Sequence, residues 1–193
     1  MVKDILKGKE LILASGSPRR QELLRGMGFD FSIRLKDCDE SVDPGIPIEE
    51  HAIFLARKKA SVYKDELKEN EVIITADTTV LIGDEVLNKP ANADEARSML
   101  RKLSDKEHKV ITGVNILAFD KEESFSDLAT VQFEQLGEDE IDYYIDHYRP
   151  FDKAGAYGIQ EWLGLMAIKK IVGSYYTIMG LPTHLVYRSL KEF

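Results

Sequence analysis

Cysteine is almost absent from this chain of 193 residues, in which Cys38 is the only one. One thiol can form neither a disulfide within the chain nor a thiolate metal cluster. Long apolar segments are missing as well, since no stretch approaches the roughly 18 apolar residues of a membrane-spanning helix. The first four residues, Met1 to Asp4, lack the apolar region of a signal peptide. We therefore expect a cytoplasmic protein.

The chain also lacks an excess of positive charge, because 34 Asp and Glu residues outnumber 26 Lys and Arg residues. The formal net charge of −8 disfavours non-specific binding to nucleic acids or anionic membranes, so we expect neither as a partner. A polyphosphate ligand would need a locally basic pocket. Hydrophobic residues make up 44% of the chain, as in an ordinary globular protein. The length suits one domain, with or without two lobes.

Several common catalytic signatures are missing. The sequence contains no Walker A motif, no G-x-G-x-x-G, no H-E-x-x-H and no G-x-S-x-G. The histidines are scattered without the spacing of metal ligands, and we interpret each as structural or as a surface residue; they are His51, His108, His147 and His184. The sequence therefore supports neither a zinc site nor a serine-hydrolase triad.

Hydrophobic patterns predict a mixture of strands and helices. The predicted strands are a run that begins at Leu11 and residues 29–33, 72–82, 108–119, 125–136 and 165–172. Helices are predicted directly after Ser17, over about 48–67, after the N-cap Asn92, along the stripe from Ile141 to Tyr148, and from about Thr183. Because Gly83-Asp84 predicts a hairpin, we expect a mixed rather than a purely parallel sheet.

Two arginines fall in the first turn of the helix that is predicted after Ser17. Ser17 suits the N-cap and Pro18 suits the first helical position. Arg19 and Arg20 then lie where the helix dipole already presents positive charge, which costs about 1 kcal/mol without a ligand. A bound anion reverses this cost, because the amides, the dipole and the guanidinium groups all attract it. The segment favours a phosphate site, and two solvated arginines are the alternative.

Two further charged residues interrupt apolar patterns. Asp77 lies within the strand predicted for 72–82, where an unpaired buried carboxylate would be very costly. Either Thr78 or Thr79 ties it into the hairpin, or it holds a cation or accepts a proton from water. Lys59 lies on the apolar face of its predicted helix. Its ammonium group therefore either extends to solvent or meets an anion.

Two loops carry weaker signals. Lys89 precedes Pro90, which holds the loop extended, so Lys89 projects from a stiff segment; a solvated lysine is the alternative. The segment 152–160 contains two glycines, which let the backbone approach a ligand closely. Its last residue, Gln160, can offer a donor and an acceptor to the edge of a base. Taken alone, this segment mainly indicates a turn.

Together these segments resemble the Maf family of nucleoside triphosphate pyrophosphatases, relatives of the inosine triphosphatase-like enzymes. The resemblance extends from Leu11 to the final helix. It is carried by ILASGSPRR at 12–20, DE at 39–40, LARKKA at 55–60, ADT at 76–78, NKP at 88–90, KAGAYGIQ at 153–160 and YYTIMGLP at 175–182. Each motif is short, but jointly they are highly specific.

The resemblance implies both a fold and a reaction. The fold is α/β, with an elongated, mixed central β-sheet flanked by helices and two lobes with a cleft between them. Residues 1–193 would form a single Maf-like domain, often as a homodimer. The reaction is cleavage between the α and β phosphates of a nucleoside triphosphate, which gives the monophosphate and pyrophosphate. A divalent metal cation, Mg²⁺ or Mn²⁺, is the implied cofactor.

The resemblance also implies residue roles. Asp77 would be the proton acceptor that activates water, and Glu40 would hold the metal together with Asp77. The residues implied to bind the triphosphate are Ser15, Ser17, Arg19, Arg20, Lys59 and Lys89. At Arg19, Thr78 and Gln160 the chain resembles the branch that acts on dTTP and UTP. One departure is that Glu161-Trp162 follows Gln160, where the family usually has glycine.

We therefore expect a house-cleaning pyrophosphatase for dTTP and UTP, with modified pyrimidine nucleotides as further candidate substrates. One alternative is a member of the same family directed at 7-methyl-GTP or purines. Another is a nucleotide-binding regulator of septum formation with little turnover. The presence of both Asp77 and Glu40 favours an enzyme, because a sensor needs no base. Phosphoryl transfer needs charge neutralisation and positioning more than covalent help, and these residue types can supply both.

Overall fold

The computed structural model describes residues 5–6 and 8–193. The segment from Met1 to Asp4, on which the expectation about a signal peptide depends, lies outside the described residues. The strands, numbered β1 to β7 in chain order, are Glu10–Leu13, Ser32–Ile33, Glu71–Ile82, Glu85–Leu87, Glu107–Ala118, Glu122–Phe133 and Ile168–Val172. Among the described residues, the α-helices of five or more residues are numbered α1 to α7 in chain order. They are Pro18–Gly26, His51–Ser61, Ala93–Leu103, Glu138–Tyr148, Trp162–Ala167, Tyr175–Met179 and Thr183–Leu190. No described helix is both long and apolar enough to cross a membrane.

The strands form one mixed sheet, which confirms the predicted α/β class. Its order is β2-β1-β3-β5-β6-β7, and β4 pairs with β3 outside this path. Strand β1 is parallel to both β2 and β3, whereas β4 is antiparallel to β3 and β7 is antiparallel to β6. The predicted hairpin at Gly83-Asp84 joins β3 to β4, and Gly83 adopts the positive φ of 57° that favours glycine in such a turn.

The chain divides into two compact units. The first contains residues up to Asp77 together with Thr112–Asp127 and Gly180–Phe193, and the second contains Thr78–Ile111 and Leu128–Met179. Strands β3, β5 and β6 contribute residues to both units. The cleft expected between two lobes and the assignment of residues 1–193 to a single domain remain predictions.

In the first unit, small residues let α2 approach the sheet closely. Ala52, Ala56 and Ala60 follow one another at intervals of four and are fully buried. On β5, a Cβ atom added at Gly113 would lie 2.3 Å from the backbone nitrogen of Ile53. The helix backbone therefore lies directly on the strand. This contact fixes the position of α2, which carries Lys59 at its C-terminal end.

In the second unit, α3 begins as the sequence predicts. The side chain of Asn92 accepts a hydrogen bond from the backbone nitrogen of Glu95 at 2.9 Å, which caps the helix. The alternation predicted for β6 is also confirmed, since Ala129, Val131 and Phe133 are completely buried. These side chains point to one face of the sheet, as the period of two along a strand requires.

Several predicted boundaries are wrong. The helix predicted over 48–67 is a 3₁₀ turn at Ile48–Glu50, the α-helix α2 and a second 3₁₀ turn at Lys64–Glu66. The strand predicted over 29–33 is reduced to β2. The strand predicted over 125–136 is β6, which begins at Glu122 rather than at 125.

The strand predicted over 165–172 begins only at 168, because the preceding residues form α5. In α5, Leu163 and Ala167 are buried whereas Leu165 and Met166 are exposed, which is helical and not strand periodicity. The sequence of a short apolar run fits a buried helix as well as a strand, which is why the start of this strand was predicted wrongly.

Candidate active site

The turn between β1 and α1 is organised around a partly buried arginine. Helix α1 begins directly after Ser17, as predicted, although the Ser17 side chain makes no capping hydrogen bond. Arg20 donates from Nη1 to Ser15 Oγ at 3.2 Å and from Nε to the carbonyl oxygen of Gly180 at 2.8 Å. The backbone nitrogen of Ser17 also donates to Ser15 Oγ, at 3.3 Å. The turn therefore holds a guanidinium group and a hydroxyl side by side.

Several charges act on this guanidinium group. Burial lowers the pKa of Arg20, the negative charges of Asp77 and Glu40 raise it, and the positive charge of neighbouring Arg19 lowers it. The Arg20 side chain stays positively charged throughout, because an arginine is not deprotonated in proteins. Its charge is thus held next to acidic groups inside the first unit. Arg19 is only partly buried.

Lys59 brings two acidic side chains together. Its Nζ donates to Asp77 Oδ1 at 2.7 Å and lies 3.2 Å from Glu40 Oε1. The Lys59 and Asp77 side chains are only 19% and 16% exposed, whereas that of Glu40 is 54% exposed. The ammonium group of Lys59 therefore meets anions instead of extending to solvent. This arrangement decides between the two alternatives for Lys59 and gives Asp77 a cationic partner.

Strand pairing brings the turn at Ser15 towards Asp77. The backbone nitrogen of Ala14 donates to the carbonyl oxygen of Ile74 at 2.8 Å. Because β1 and β3 are parallel, the residues that follow this pair leave in the same direction. Asp77 also acts electrostatically on Arg20, an effect that weakens with distance. The first unit thus combines two basic side chains, two carboxylates and a hydroxyl.

Lys58 is a contributor that the sequence patterns did not identify. Its Nζ donates to Asp39 Oδ2 at 2.8 Å, to the Ser41 carbonyl oxygen at 2.9 Å and to Ser41 Oγ at 3.3 Å. The hydrogen bond from Lys58, with further bonds from Ser41, holds the pKa of Asp39 well below its usual range. These contacts tie the loop that carries Glu40 to the helix that carries Lys59. The sequence signal that could have indicated this contact is the charge complementarity between the acidic residues in 37–40 and the adjacent lysines Lys58 and Lys59.

The donor chemistry of Glu40 and Asp77 fits a divalent cation. Both offer carboxylate oxygens, the ligands that Mg²⁺ and Mn²⁺ prefer, and both already contact the same ammonium group. Mg²⁺ is commonly held by one or two carboxylates together with substrate phosphates. Among the described residues, no group of three or more His, Cys, Asp or Glu side chains has the geometry of a metal site. These two carboxylates therefore suit a cation that is shared with a phosphate ligand.

Three predicted site residues belong to the second unit. Thr78 follows Asp77 on β3 and is partly buried, while Lys89 and Gln160 are exposed on loops. The two loops are joined by a hydrogen bond from the backbone nitrogen of Gly155 to the carbonyl oxygen of Asn88, at 3.3 Å. The structure thus links the loop of Lys89 to the segment that leads to Gln160.

The family model for Maf-like proteins matches residues 10–193. The chain belongs to the Maf family. This membership confirms the resemblance that the seven short motifs indicate, and the match extends far beyond them.

Maf relatives match over nearly their full length. The dTTP/UTP pyrophosphatase of Parabacteroides distasonis is 49% identical over 189 residues, which cover 97% of this chain and 98% of that protein. The dTTP/UTP pyrophosphatase of Flavobacterium johnsoniae is 47% identical and that of Phocaeicola vulgatus is 45% identical. These matches cover 98% of both chains in the first case and 100% of both in the second.

Among solved structures, the Ham1 protein of Staphylococcus aureus matches with a TM-score of 0.43 and 16% identity. That match covers 65% of this chain and 72% of the Ham1 chain.

Proposed function

We propose that this Maf protein hydrolyses dTTP and UTP to the monophosphate and pyrophosphate, and so cleans the nucleotide pool. The support from sequence is that relatives 45% to 49% identical over nearly the whole chain are named dTTP/UTP pyrophosphatases. The structural observation that carries the proposal is the placement of the Lys59 ammonium group between Asp77 and Glu40. The proposed base, Asp77, and the proposed cation ligand, Glu40, thus both contact Lys59, which is proposed to bind phosphate.

The basic side chains neutralise the triphosphate in this proposal. Phosphoryl transfer depends mainly on positioning and on charge neutralisation. Arg19, Arg20 and Lys59 supply positive charge in the first unit, and Lys89 supplies it in the second. Each is proposed to contact phosphate oxygens.

The two serines supply hydrogen bonds to phosphate. Ser15 Oγ accepts hydrogen bonds from Arg20 and from the backbone of Ser17, so its own hydroxyl proton can point to a phosphate oxygen. Ser17 does not cap α1 with its side chain, so its hydroxyl and the first amides of the helix suit an anion. These donors lie in the same turn as Arg20.

Asp77 is the proposed general base. One of its carboxylate oxygens accepts the hydrogen bond from Lys59, and the carboxylate accepts a proton from the attacking water. The water oxygen bonds to the α-phosphorus, and the bond to the bridging oxygen of pyrophosphate breaks. A divalent cation, Mg²⁺ or Mn²⁺, held by Glu40 and Asp77 would add neutralisation of the phosphate charge. The hydrogen bond from Lys59 orients the Asp77 carboxylate.

Base selectivity is assigned to Arg19, Thr78 and Gln160. The amide of Gln160 offers both a donor and an acceptor, which complements the carbonyl and N–H groups shared by uracil and thymine. Its exposed position on a loop leaves the amide accessible to a ligand.

A substrate panel tests the proposed function. Purified protein is incubated with Mg²⁺ or Mn²⁺ and with dTTP, UTP, GTP, dATP or 7-methyl-GTP, and pyrophosphate and orthophosphate are measured separately. We expect pyrophosphate from dTTP and UTP. A preference for 7-methyl-GTP or purines would instead favour the other branch of the family. Release of orthophosphate would overturn the proposed reaction, and an absence of turnover would favour a nucleotide-binding regulator of septum formation.

We further propose that the enzyme is a cytoplasmic homodimer that binds neither nucleic acids nor membranes. The net charge of −8 supports the absence of both anionic partners. The dimer is carried over from the family resemblance. Light scattering on the purified protein tests it, and a monomeric mass at micromolar concentration would contradict it.

A further inference from the structure

Gln160 lies near the tip of a tight turn that leads into α5. The backbone nitrogen of Glu161 donates to the carbonyl oxygen of Gly158 at 3.0 Å, which closes a four-residue turn. Ile159 is buried and Gln160 is exposed. A Cβ atom added at Gly164 would lie 1.8 Å from the carbonyl oxygen of Ile159, so α5 packs directly on the turn. The backbone on both sides of Gln160 is therefore constrained.

One buried hydroxyl holds both ends of this turn. Tyr144, on α4, is completely buried. Its hydroxyl accepts a hydrogen bond from the backbone nitrogen of Gly158 at 2.9 Å and donates one to Glu161 Oε2. Burial and the bond to Glu161 raise the pKa of Tyr144, so the hydroxyl keeps its proton and remains a donor. The first and last residues of the turn thus share one anchor, which does not involve Gln160 itself.

A buried lysine completes the network. The Lys153 side chain is 8% exposed, and its Nζ lies 3.1 Å from Glu161 Oε1. The same ammonium group donates to Asp152 Oδ1 at 2.7 Å. The cost of removing both charges from water offsets much of their attraction, so a buried pair of this kind adds little to the free energy of unfolding. Its more specific effect is to fix where the Glu161 carboxylate lies.

We propose that Glu161, held by Tyr144 and Lys153, is a positioning residue that orients Gln160 and so determines nucleotide selectivity. The inference rests on the proposed function, in which Gln160 contacts the base. If the hydroxyl or the carboxylate is removed, the turn loses two of its constraints. The backbone that carries Gln160 then no longer has a fixed position, and a small displacement of its amide weakens recognition strongly.

The test uses variants of the whole enzyme. Tyr144→Phe and Glu161→Ala remove the anchor, and Glu161→Gln retains a side-chain oxygen that can accept the tyrosine hydrogen bond. Tyr143→Phe is the matched control, because it removes a hydroxyl from the same helix at a residue that is 43% exposed. For each variant, kcat and KM are measured with UTP and GTP, and the melting temperature is recorded.

We expect the ratio of kcat/KM for UTP to that for GTP to fall about 10-fold in Tyr144→Phe and Glu161→Ala. Most of the change should be a higher KM for UTP. Glu161→Gln should lie between these variants and the native enzyme, and Tyr143→Phe should match the native ratio. An unchanged ratio in both anchor variants would overturn the proposal. Equal losses for UTP and GTP, together with a lower melting temperature, would also overturn it, because they indicate a structural role only.

Hydrogen exchange separates this proposal from the proposed function. Amide exchange across residues 157–162 should be faster in Tyr144→Phe than in the native enzyme and unchanged in Tyr143→Phe. If the native enzyme hydrolyses no nucleotide, the proposed function fails and the selectivity role fails with it. The exchange measurement then still decides whether the network holds the turn, and unchanged exchange in Tyr144→Phe would overturn that as well.

Discussion

Lys59 Nζ donates a hydrogen bond to Asp77 Oδ1 at 2.7 Å, and this contact joins the C-terminal end of α2 to the middle of β3. Both side chains are less than one fifth exposed, so solvent screens their attraction only partly. The ammonium group orients the carboxylate through this hydrogen bond. A general base must be oriented towards the water from which it takes a proton.

Asp77→Asn should retain nucleotide binding and lose most turnover. The amide keeps the shape of the carboxylate but cannot accept a proton from water, so we expect kcat to fall about 100-fold or more. Calorimetry gives the affinity for UTP, and a pyrophosphate assay gives kcat. Asp84→Asn, at the exposed β3–β4 turn, is the control and should behave as the native enzyme does. A native rate in Asp77→Asn would exclude Asp77 as the base.

Lys58→Met should weaken cation binding without touching a proposed cation ligand. The substitution removes the hydrogen bonds to Asp39 and Ser41, so the contact between Lys59 and Glu40 has to hold the loop on α2 without them. We expect the Kd for Mn²⁺, measured by calorimetry, to rise several-fold while the melting temperature changes little. Arg57→Met, at an exposed position on the same helix, is the control. Equal Mn²⁺ affinities in the two variants would contradict this role for Lys58.

His108 should make folding stability depend on pH. Burial lowers its pKa from 6.5 to about 4, and its Nε2 lies 2.7 Å from the Tyr157 hydroxyl oxygen. Among the described residues, its Nδ1 has no hydrogen-bond partner, so protonation there gains nothing. Between pH 4 and 6.5 the unfolded chain binds more protons than the folded protein, so stability is lost as the pH falls through this window. The loss attributable to His108 amounts to about 3 kcal/mol.

Urea unfolding at pH 7 and pH 5 measures this effect. His108→Phe removes the titrating group from an aromatic cluster and should flatten the pH dependence relative to the native protein. His147→Gln, at an exposed position, should leave it unchanged. The same slope in His108→Phe as in the native protein would show that His108 is not responsible.

Gly113→Ala should destabilise the first unit. The added methyl group would meet the backbone of Ala52 and Ile53 at 2.3 to 2.5 Å, and a helix backbone cannot move away as a side-chain end can. We expect a loss of about 1–3 kcal/mol in the free energy of unfolding, measured in urea. Gly26→Ala is the control, because no atom lies within 4 Å of the Cβ position there. Similar losses in both variants would contradict the close contact between α2 and β5.

Local signals in the sequence predicted part of the fold and singled out part of the candidate site. Ser17-Pro18 marked the start of α1 because capping and proline preferences act on neighbouring residues. Lys59 could be singled out because it interrupts an apolar helical face. Asp77 could be singled out because a carboxylate inside an apolar strand requires a partner.

The rest depends on contacts between distant parts of the chain. Lys58 reaches a loop without periodicity, and only the folded chain shows which of two adjacent lysines meets Asp39. Likewise, Tyr144, Lys153 and Glu161 come from a helix, a loop and a helix start, so no spacing rule links them. The short apolar run in α5 fits a helix and a strand equally well until its buried face is known.

The central claim is that water attacks the α-phosphorus of UTP. Hydrolysis of UTP in water enriched in ¹⁸O tests it most directly, because the label marks the phosphorus atom that water attacks. We predict that, in the presence of Mg²⁺, the label appears in the uridine monophosphate and not in the pyrophosphate. Label in pyrophosphate or orthophosphate, or no cleavage of UTP, would contradict this claim.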